Sequence, residues 1–377
     1  VLLVDDSVVI RRVVGDVLKD APGVELAGTA PNGKVGLAKV GQLGPDVVVL
    51  DVEMPEMDGL ATLTALRADW PRLPVIMFST LTGRGAAVTL DALLRGADDY
   101  VTKPSSSGGL QQAQQRVQDE LVPKILELAA PALGAAGPGA GRRRRAGAPP
   151  PTGAARRPGA PAAGAPALPG RSLPDRRVEA VVIGVSTGGP NALAEVTAGL
   201  PRDLPVPVLV VQHMPPMFTK LLAERLDARS PLRVGEAGGG EAPVPGTVWL
   251  APGDHHLVVT GGSGRPVRLG LDDGPKENSC RPAVDVLFRS AAEVWGGDLL
   301  AVVLTGMGRD GERGSARIRD AGGVVMVQDE ATSVVWGMPG AVVEAGVADA
   351  VVPLSGVAAE IDRVARVGRV GAGVGAR

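Results

Sequence analysis

Between Gly134 and Pro174 the chain reads GAAGPGAGRRRRAGAPPPTGAARRPGAPAAGAPALPGRSLP, almost entirely Gly, Ala, Pro and Arg. A segment of this kind carries too little apolar surface to offset the entropy of ordering it, so no core can run through it. Whatever the chain folds into is therefore divided here, and 377 residues are ample for two domains. The expected organisation is a first domain over 1–125, a flexible Gly/Ala/Pro/Arg linker over 126–177, a second domain over 178–367 and a disordered tail over 368–377. Nine arginines against one acid lie between Arg142 and Arg177. The bland reading is a solvated linker, and the sharper one is a contact with a polyanion or acidic partner.

On both sides of the break, apolar runs alternate with stretches whose apolar residues recur at helical spacing. VLLVDD, VELAGTA, DVVVLDVEMP, PVIMFST and DDYVTKP read as five strands before it. EAVVIGVS, PVPVLVVQHM, GTVWLAPG, HHLVV, LLAVVLTG and GVVMVQD read as strands after it. Continuous apolar runs of this length suit parallel strands covered on both faces, so the fold class is α/β, two doubly wound parallel sheets. The stretch GTVWLAPGDHHLVVTGGSGRPVRLGL suggests an antiparallel excursion within the second sheet. Aromatics make up 2% of the chain, so the cores must be built from Val, Leu, Ala and Ile.

Other features bound location and partners. The formal net charge is −2, which gives no overall field toward nucleic acid or membrane. The single cysteine, Cys280, fits a reducing cytosol, and a cytoplasmic protein is expected. No apolar stretch reaches the ~18 residues of a membrane span, so no membrane insertion is expected. The opening VLLVDD has no charged region before it, so no signal peptide is expected, and the missing Met suggests that a few residues precede it.

In parallel α/β sheets, ligands sit beyond the carboxyl ends of the strands. In the first domain those ends carry Asp5 and Asp6, then Asp51, then Ser79 and Thr80, then Lys103. Three carboxylates in one crevice repel unless a cation joins them, and Mg²⁺ prefers such oxygens. Asp51 could then attack a phosphoryl group while the metal, Lys103 and Ser79 neutralise its oxygens. LVDDS, DVEMPEMDG, FST and VTKP resemble the receiver domain of two-component response regulators, across nearly all of residues 1–125. The resemblance implies a flavodoxin-like fold and phosphate transfer to Asp51 from a histidine kinase. It implies Mg²⁺ held by Asp5, Asp6, Asp51 and the Glu53 carbonyl, and an aromatic switch at Tyr100.

In the second domain, GVSTG places Ser186 in a G-x-S-x-G strand-to-helix turn. Such a turn can expose a nucleophile, and equally can cradle a phosphate. A serine needs a base, and three histidines exist: His213 at the carboxyl edge of a buried strand, and His255 and His256 in a hairpin. The shared edge favours His213. LTGMGRDG then supplies Asp310 in a Gly-rich loop, where it could orient the imidazole or serve only as a cap. The order Ser, His, Asp excludes the α/β-hydrolase arrangement, in which the acid precedes the histidine.

IGVSTGGP, VVQHM, RPAVDVLF and LTGMGRDG resemble the catalytic domain of the chemotaxis protein-glutamate methylesterases, and the receiver–linker–esterase order matches over about 350 residues. The resemblance implies a Rossmann-like hydrolase domain with Ser186 as nucleophile, His213 as base, Asp310 as orienting acid and the Met307 N–H in an oxyanion site. It implies hydrolysis of glutamate methyl esters on chemoreceptor cytoplasmic domains, glutamine deamidation by the same serine, and no cofactor in this domain. Two other classes remain open from the residues: an output domain that binds nucleic acid through the Arg run, and a non-catalytic nucleotide-binding domain. The lack of a recognition helix weighs against the first, so no nucleic-acid partner is expected. The lack of G-x-G-x-x-G or a Walker lysine weighs against the second.

Overall fold

The computed structural model describes residues 1–80, 82–104, 109–134, 173–262 and 264–369. Its first part runs β1 (Leu2–Val4), α1 (Val8–Asp20), β2 (Gly28–Ala30), α2 (Gly33–Leu43), β3 (Val48–Asp51), α3 (Gly59–Asp69), β4 (Val75–Ser79), α4 (Gly83–Leu94), β5 (Asp99–Thr102) and α5 (Gly109–Arg116). A π-helical turn, Val117–Leu121, leads into α6 (Val122–Gly134). The second part begins with β6 (Ala180–Val185), α7 (Gly189–Gly199), β7 (Val208–Gln212), α8 (Pro216–Asp227), β8 (Arg233–Glu236), β9 (Thr247–Leu250), β10 (His256–Gly262) and β11 (Arg265–Asp272). It continues through α9 (Val284–Trp295), β12 (Leu299–Val303), α10 (Glu312–Asp320), β13 (Val324–Gln328), α11 (Gly337–Glu344), β14 (Ala350–Val352) and α12 (Leu354–Arg366).

Local chemistry accounts for the helix starts and faces. Ser7 caps α1 by accepting from the Ile10 N–H at 3.3 Å, and Val13, Val14, Val17 and Leu18 turn inward at helical spacing. Asp58 caps α3 by accepting from Ala61 N–H at 2.8 Å. The strands β1, β3, β6, β7, β12 and β13 are buried along their whole length, as sheets covered on both faces require.

Both main sheets are parallel. The first has the order β2-β1-β3-β4-β5 and the second β14-β13-β12-β6-β7-β9-β8. In each, the strand order reverses beside the first strand of its domain: between β1 and β3, and between β6 and β12. Crevices at such switch points are where side chains from strand ends converge.

Three expectations need correction. The antiparallel excursion is not part of the second sheet: β10 and β11 pair as a separate two-stranded sheet, while β9 joins the parallel one. The expected linker start at 126 falls inside α6, where Leu128 and Ala129 are buried against the first domain, so the helix outruns the boundary. At the other end Leu173 is buried and its carbonyl accepts from Arg363, which also binds Asp175 at 3.0 Å, so 173–175 dock on α12. Of the expected tail, Arg369 pairs with Glu179 at 3.3 Å. The rest of the linker, 135–172, and residues 370–377 lie outside the described residues. Among the described residues, no helix is long and apolar enough to cross a membrane.

Candidate active site

Ser186 directly follows β6, His213 directly follows β7, and Asp310 lies between β12 and α10. The sheet therefore delivers all three to one edge. His213 Nε2 stands 2.8 Å from Asp310 Oδ2. Ser186 and His213 line the same pocket without a hydrogen bond between their side chains. Such a bond commonly tightens only with substrate in place.

The turn around Ser186 is held by its backbone. Its N–H donates to the Thr305 carbonyl at 3.0 Å, and its carbonyl accepts from Gln212 Nε2 at 2.9 Å. Thr305 Oγ1 donates to the Thr187 carbonyl at 2.9 Å, and the Thr305 N–H donates to Gln328 Oε1 at 2.8 Å. Gly188 adopts φ 77° at the start of α7, a conformation that disfavours a side chain. Gly306 approaches so closely that a Cβ there would lie 2.8 Å from Ser186 Cβ. Met307 follows it, half-buried, and lines the adjoining groove with His213 and Cys280.

Asp310 is held from four directions. Besides His213, it accepts from Val284 N–H at 2.7 Å, Asp285 N–H at 3.0 Å and Asn278 Nδ2 at 2.8 Å. The two backbone donors belong to the first turn of α9, so the acid also caps that helix. Asp285, from α9, returns the favour to α10 by accepting from the Gly311 N–H at 3.1 Å and the Gly314 N–H at 2.6 Å. Burial opposes charge on Asp310, but His213 and these donors hold its carboxyl below the usual carboxylate range. Burial likewise opposes the imidazolium of His213. The Asp310 bond and the facing Cys280 thiol outweigh it and push the ring up to about 10.

The other histidines are engaged elsewhere. His256 accepts from Ala283 N–H at 3.1 Å through Nδ1 and donates to the Pro275 carbonyl at 3.0 Å through Nε2. His255 pairs with Asp273 in an exposed position.

The first domain gathers a second cluster. Lys103 Nζ lies 2.8 Å from Asp5 Oδ2 and 2.7 Å from Asp51 Oδ2. Asp5, Asp6 and Asp51 each present an oxygen within 4.8 Å of the others. Apart from the Lys103 ion pairs, the buried Asp5 Oδ2 and Asp51 Oδ2 accept no hydrogen bond from the described residues. Buried, crowded, under-donated carboxylate oxygens suit a hard divalent cation. Burial and the Asp5 charge push Asp51 up to about 6. Glu53 and Ser79 line the same pocket, and Ser79 Oγ also donates to the Gly85 carbonyl at 3.3 Å.

Residues 181–361 match the family model described as CheB methylesterase, and residues 1–115 match the response regulator receiver domain. A protein-glutamate methylesterase/protein-glutamine glutaminase of Trichodesmium erythraeum is 45% identical over 363 residues, covering 96% of this chain and 98% of that one. Its namesake in Nocardioides sp. is 49% identical over 367 residues, covering 96% and 94%. The chain belongs to this methylesterase/glutaminase family. The crystal structure of the Thermotoga maritima CheB methylesterase catalytic domain is 46% identical, covers 50% of this chain and 100% of that one, and superposes with a TM-score of 0.49.

In this methylesterase-family chain the two domains meet beside the Ser186 pocket. Asp99 Oδ2, from β5, accepts from Thr187 Oγ1 at 2.6 Å and pairs with Lys124 at 2.9 Å. The Gly188 N–H donates to the Asp98 carbonyl at 3.2 Å. Tyr100 stacks on Phe218 of α8 with centroids 4.5 Å apart, and Arg225 of α8 pairs with Asp91 of α4 at 2.9 Å. Asp99, Tyr100 and Lys124 thus line the pocket that holds Ser186 and His213.

Sequence reasoning brought Ser186, His213 and Asp310 together and missed Asn278, Asp285, Gln212, Cys280 and Asp99. Asp285 stood within the quoted RPAVDVLF without a role. Its position in a first helical turn was the available hint. Gln212 likewise stood within the quoted VVQHM, at the end of a strand-like run, and nothing local distinguishes Asn278, Cys280 and Asp99.

Proposed function

We propose that Ser186 is the nucleophile, His213 the base and Asp310 the orienting acid of a protein-glutamate methylesterase with protein-glutamine glutaminase activity. The observation that carries the assignment is the 2.8 Å His213–Asp310 pair beside Ser186 at a switch-point crevice, in a chain of this family. Ser186 Oγ attacks the ester carbonyl while His213 takes its proton and returns it to the departing methanol. Water then attacks the acyl-enzyme, with His213 again the base, and leaves the glutamate carboxylate. On a glutamine the same steps release ammonia. The Met307 N–H is assigned to the developing oxyanion.

The substrate is a methylated chemoreceptor cytoplasmic domain, and the phosphodonor is the histidine kinase of the same chemosensory system. Asp51 is the acceptor carboxylate. Asp5, Asp6, Asp51 and the Glu53 carbonyl would hold Mg²⁺, which supplies positive charge to phosphoryl oxygens, while Lys103 and Ser79 reach the same pocket. The protein is assigned to the cytoplasm, where receptor helices and kinase are accessible. The domain limits follow as 1–134 for the receiver and 173–369 for the catalytic domain.

The test is methanol release from methylated receptor by the intact chain, with and without acetyl phosphate. Asp51→Asn should abolish Mg²⁺-dependent phosphorylation and leave the rate at its unstimulated level. Phosphate still incorporated into that variant would move the acceptor to another residue, with Asp6 next in reach.

The raised His213 also predicts a pH dependence. At neutral pH its ring is held protonated, and the neutral base grows as pH rises toward about 10. The enzymatic rate of the intact chain should therefore climb between pH 7 and pH 9. Subtracting a Ser186→Ala blank removes spontaneous ester hydrolysis, and a corrected rate that is flat or falling above pH 7 would contradict the His213 assignment.

A further inference from the structure

We infer that Asn278 is a positioning residue for the catalytic acid, acting through its side-chain amide and not merely through its backbone. Its Nδ2 donates to Asp310 Oδ1 at 2.8 Å and to Asp285 Oδ2 at 3.0 Å. One amide thus spends both protons on two carboxylates that are each almost fully buried, at 2% and 1% exposure. Those carboxylates cap two different helices, α9 and α10, and stand close enough to raise each other's cost of ionisation. A shared neutral donor relieves that repulsion without adding a charge that would compete with the imidazolium. It also fixes which Asp310 oxygen remains for His213, because Oδ1 is taken by Asn278 and the Asp285 N–H while Oδ2 faces His213 Nε2.

The backbone supports the same role. Asn278 has φ 50°, and Ser279 beside it has φ 64°. Asn tolerates this left-handed region better than most residues with a side chain. The residue is exposed overall, so the loop carries it at the surface while the amide reaches inward. The loop is anchored just before Asn278 by the bidentate Glu277–Arg289 pair at 2.7 Å and by His256 on the Pro275 carbonyl. The charged and titratable groups around the His213–Asp310 pair are Asp285, Glu277, Arg289, His256 and Cys280, with Lys124 from the first domain lining the same pocket as His213.

The inference rests on the triad reading, and the experiment separates the two. Gly and Asp both accept φ near 50°, so Asn278→Gly removes the amide while keeping the backbone, and Asn278→Asp keeps the shape while replacing a donor by a third carboxylate. Methanol release by the intact chain is measured with acetyl phosphate and Mg²⁺ across about pH 6.5–9.5, the rising limb along which the neutral imidazole grows toward its titration at about 10. With Asn278→Gly, kcat should fall about tenfold, the scale of one hydrogen bond to a charged group, with KM little changed. Its rising pH limb should move to higher pH, because Asp310 then bears down harder on the imidazolium. With Asn278→Asp, both changes should be larger. A glycine variant with unaltered kcat and pH limb would reduce Asn278 to a backbone role and overturn the inference. So would variants that change KM alone. If Asn278→Gly compromises folding, the isosteric Asn278→Asp variant decides by the same two readouts. Should Ser186→Ala itself remain active, the triad reading fails, whatever Asn278 does.

Discussion

Ser186→Ala should leave a folded protein whose methanol-release rate has dropped on the order of 10⁴-fold or more, because the acyl-enzyme route is closed. The fold should survive because the turn is held through the Ser186 N–H and carbonyl, to Thr305 and Gln212, and both groups persist in alanine. A substitution with no lost internal contact commonly changes stability by about 0.5 kcal/mol or less, so thermal unfolding should barely move. His213→Ala should fall to a similar rate, and the double variant should be no slower than either, since nucleophile and base act as a unit. His256→Ala provides the contrast. It removes the anchor on Ala283 and Pro275, so it should unfold at lower temperature while retaining a rate far above that of His213→Ala. An active His213→Ala protein would sink the assignment of the base.

That Ser186 and His213 emerge at one sheet edge was legible because strand-end position is a property of the local sequence. An apolar run that ends in Ser186, or in Gln212 and His213, announces which side chain emerges at the sheet edge. The acid cluster of the first domain was legible for the same reason: Asp5, Asp51, Ser79 and Lys103 each close a strand-like run. The short strands β8 and β14 were not legible. RVGE and AVV are only 4 and 3 residues long, and one is mostly half-exposed, so neither makes a buried run. The boundary at 125 failed because α6 continues as LELAAPALG, whose alanines and leucines suit a helix as well as the start of a low-complexity linker. The excursion was misplaced because GTVWLAPG reads equally well as the first arm of a hairpin or as a buried parallel strand. Asn278 and Asp99 were out of reach for a different reason. Their partners lie 32 and 88 residues away, and a Thr187–Asp99 hydrogen bond across a domain interface leaves no trace in either local stretch.

Asp99→Ala should raise the unstimulated rate of the intact chain about tenfold or more and shrink the further gain from phosphorylation. In the docked arrangement the Asp99 carboxylate sits on Thr187 Oγ1, one residue beyond the nucleophile, and 6% of Asp99 and 5% of Thr187 are exposed. A receptor segment cannot enter a pocket whose wall is formed by Asp99, Tyr100 and Lys124. The receiver must therefore move before the ester can reach Ser186, and the measured rate follows the open fraction. A hydrogen bond to a charged group contributes about 1.5–3 kcal/mol, and removing it shifts a closed-to-open ratio by roughly 10- to 100-fold. When the domains part, Thr187 and Lys124 regain water, so the open state bears no matching loss. The Tyr100–Phe218 stack and the Arg225–Asp91 pair remain, and the interface is weakened but not abolished. Phosphorylation acts on the same equilibrium, so a chain already biased toward the open state has less left to gain. The check is the methanol-release rate of Asp99→Ala against the unaltered chain, each with and without acetyl phosphate. Thr187→Val, which removes the hydroxyl from the other side of the contact, serves as the partner measurement. A lower unstimulated rate in Asp99→Ala, with unchanged thermal unfolding, would mean that Asp99 helps to build the site and does not cover it.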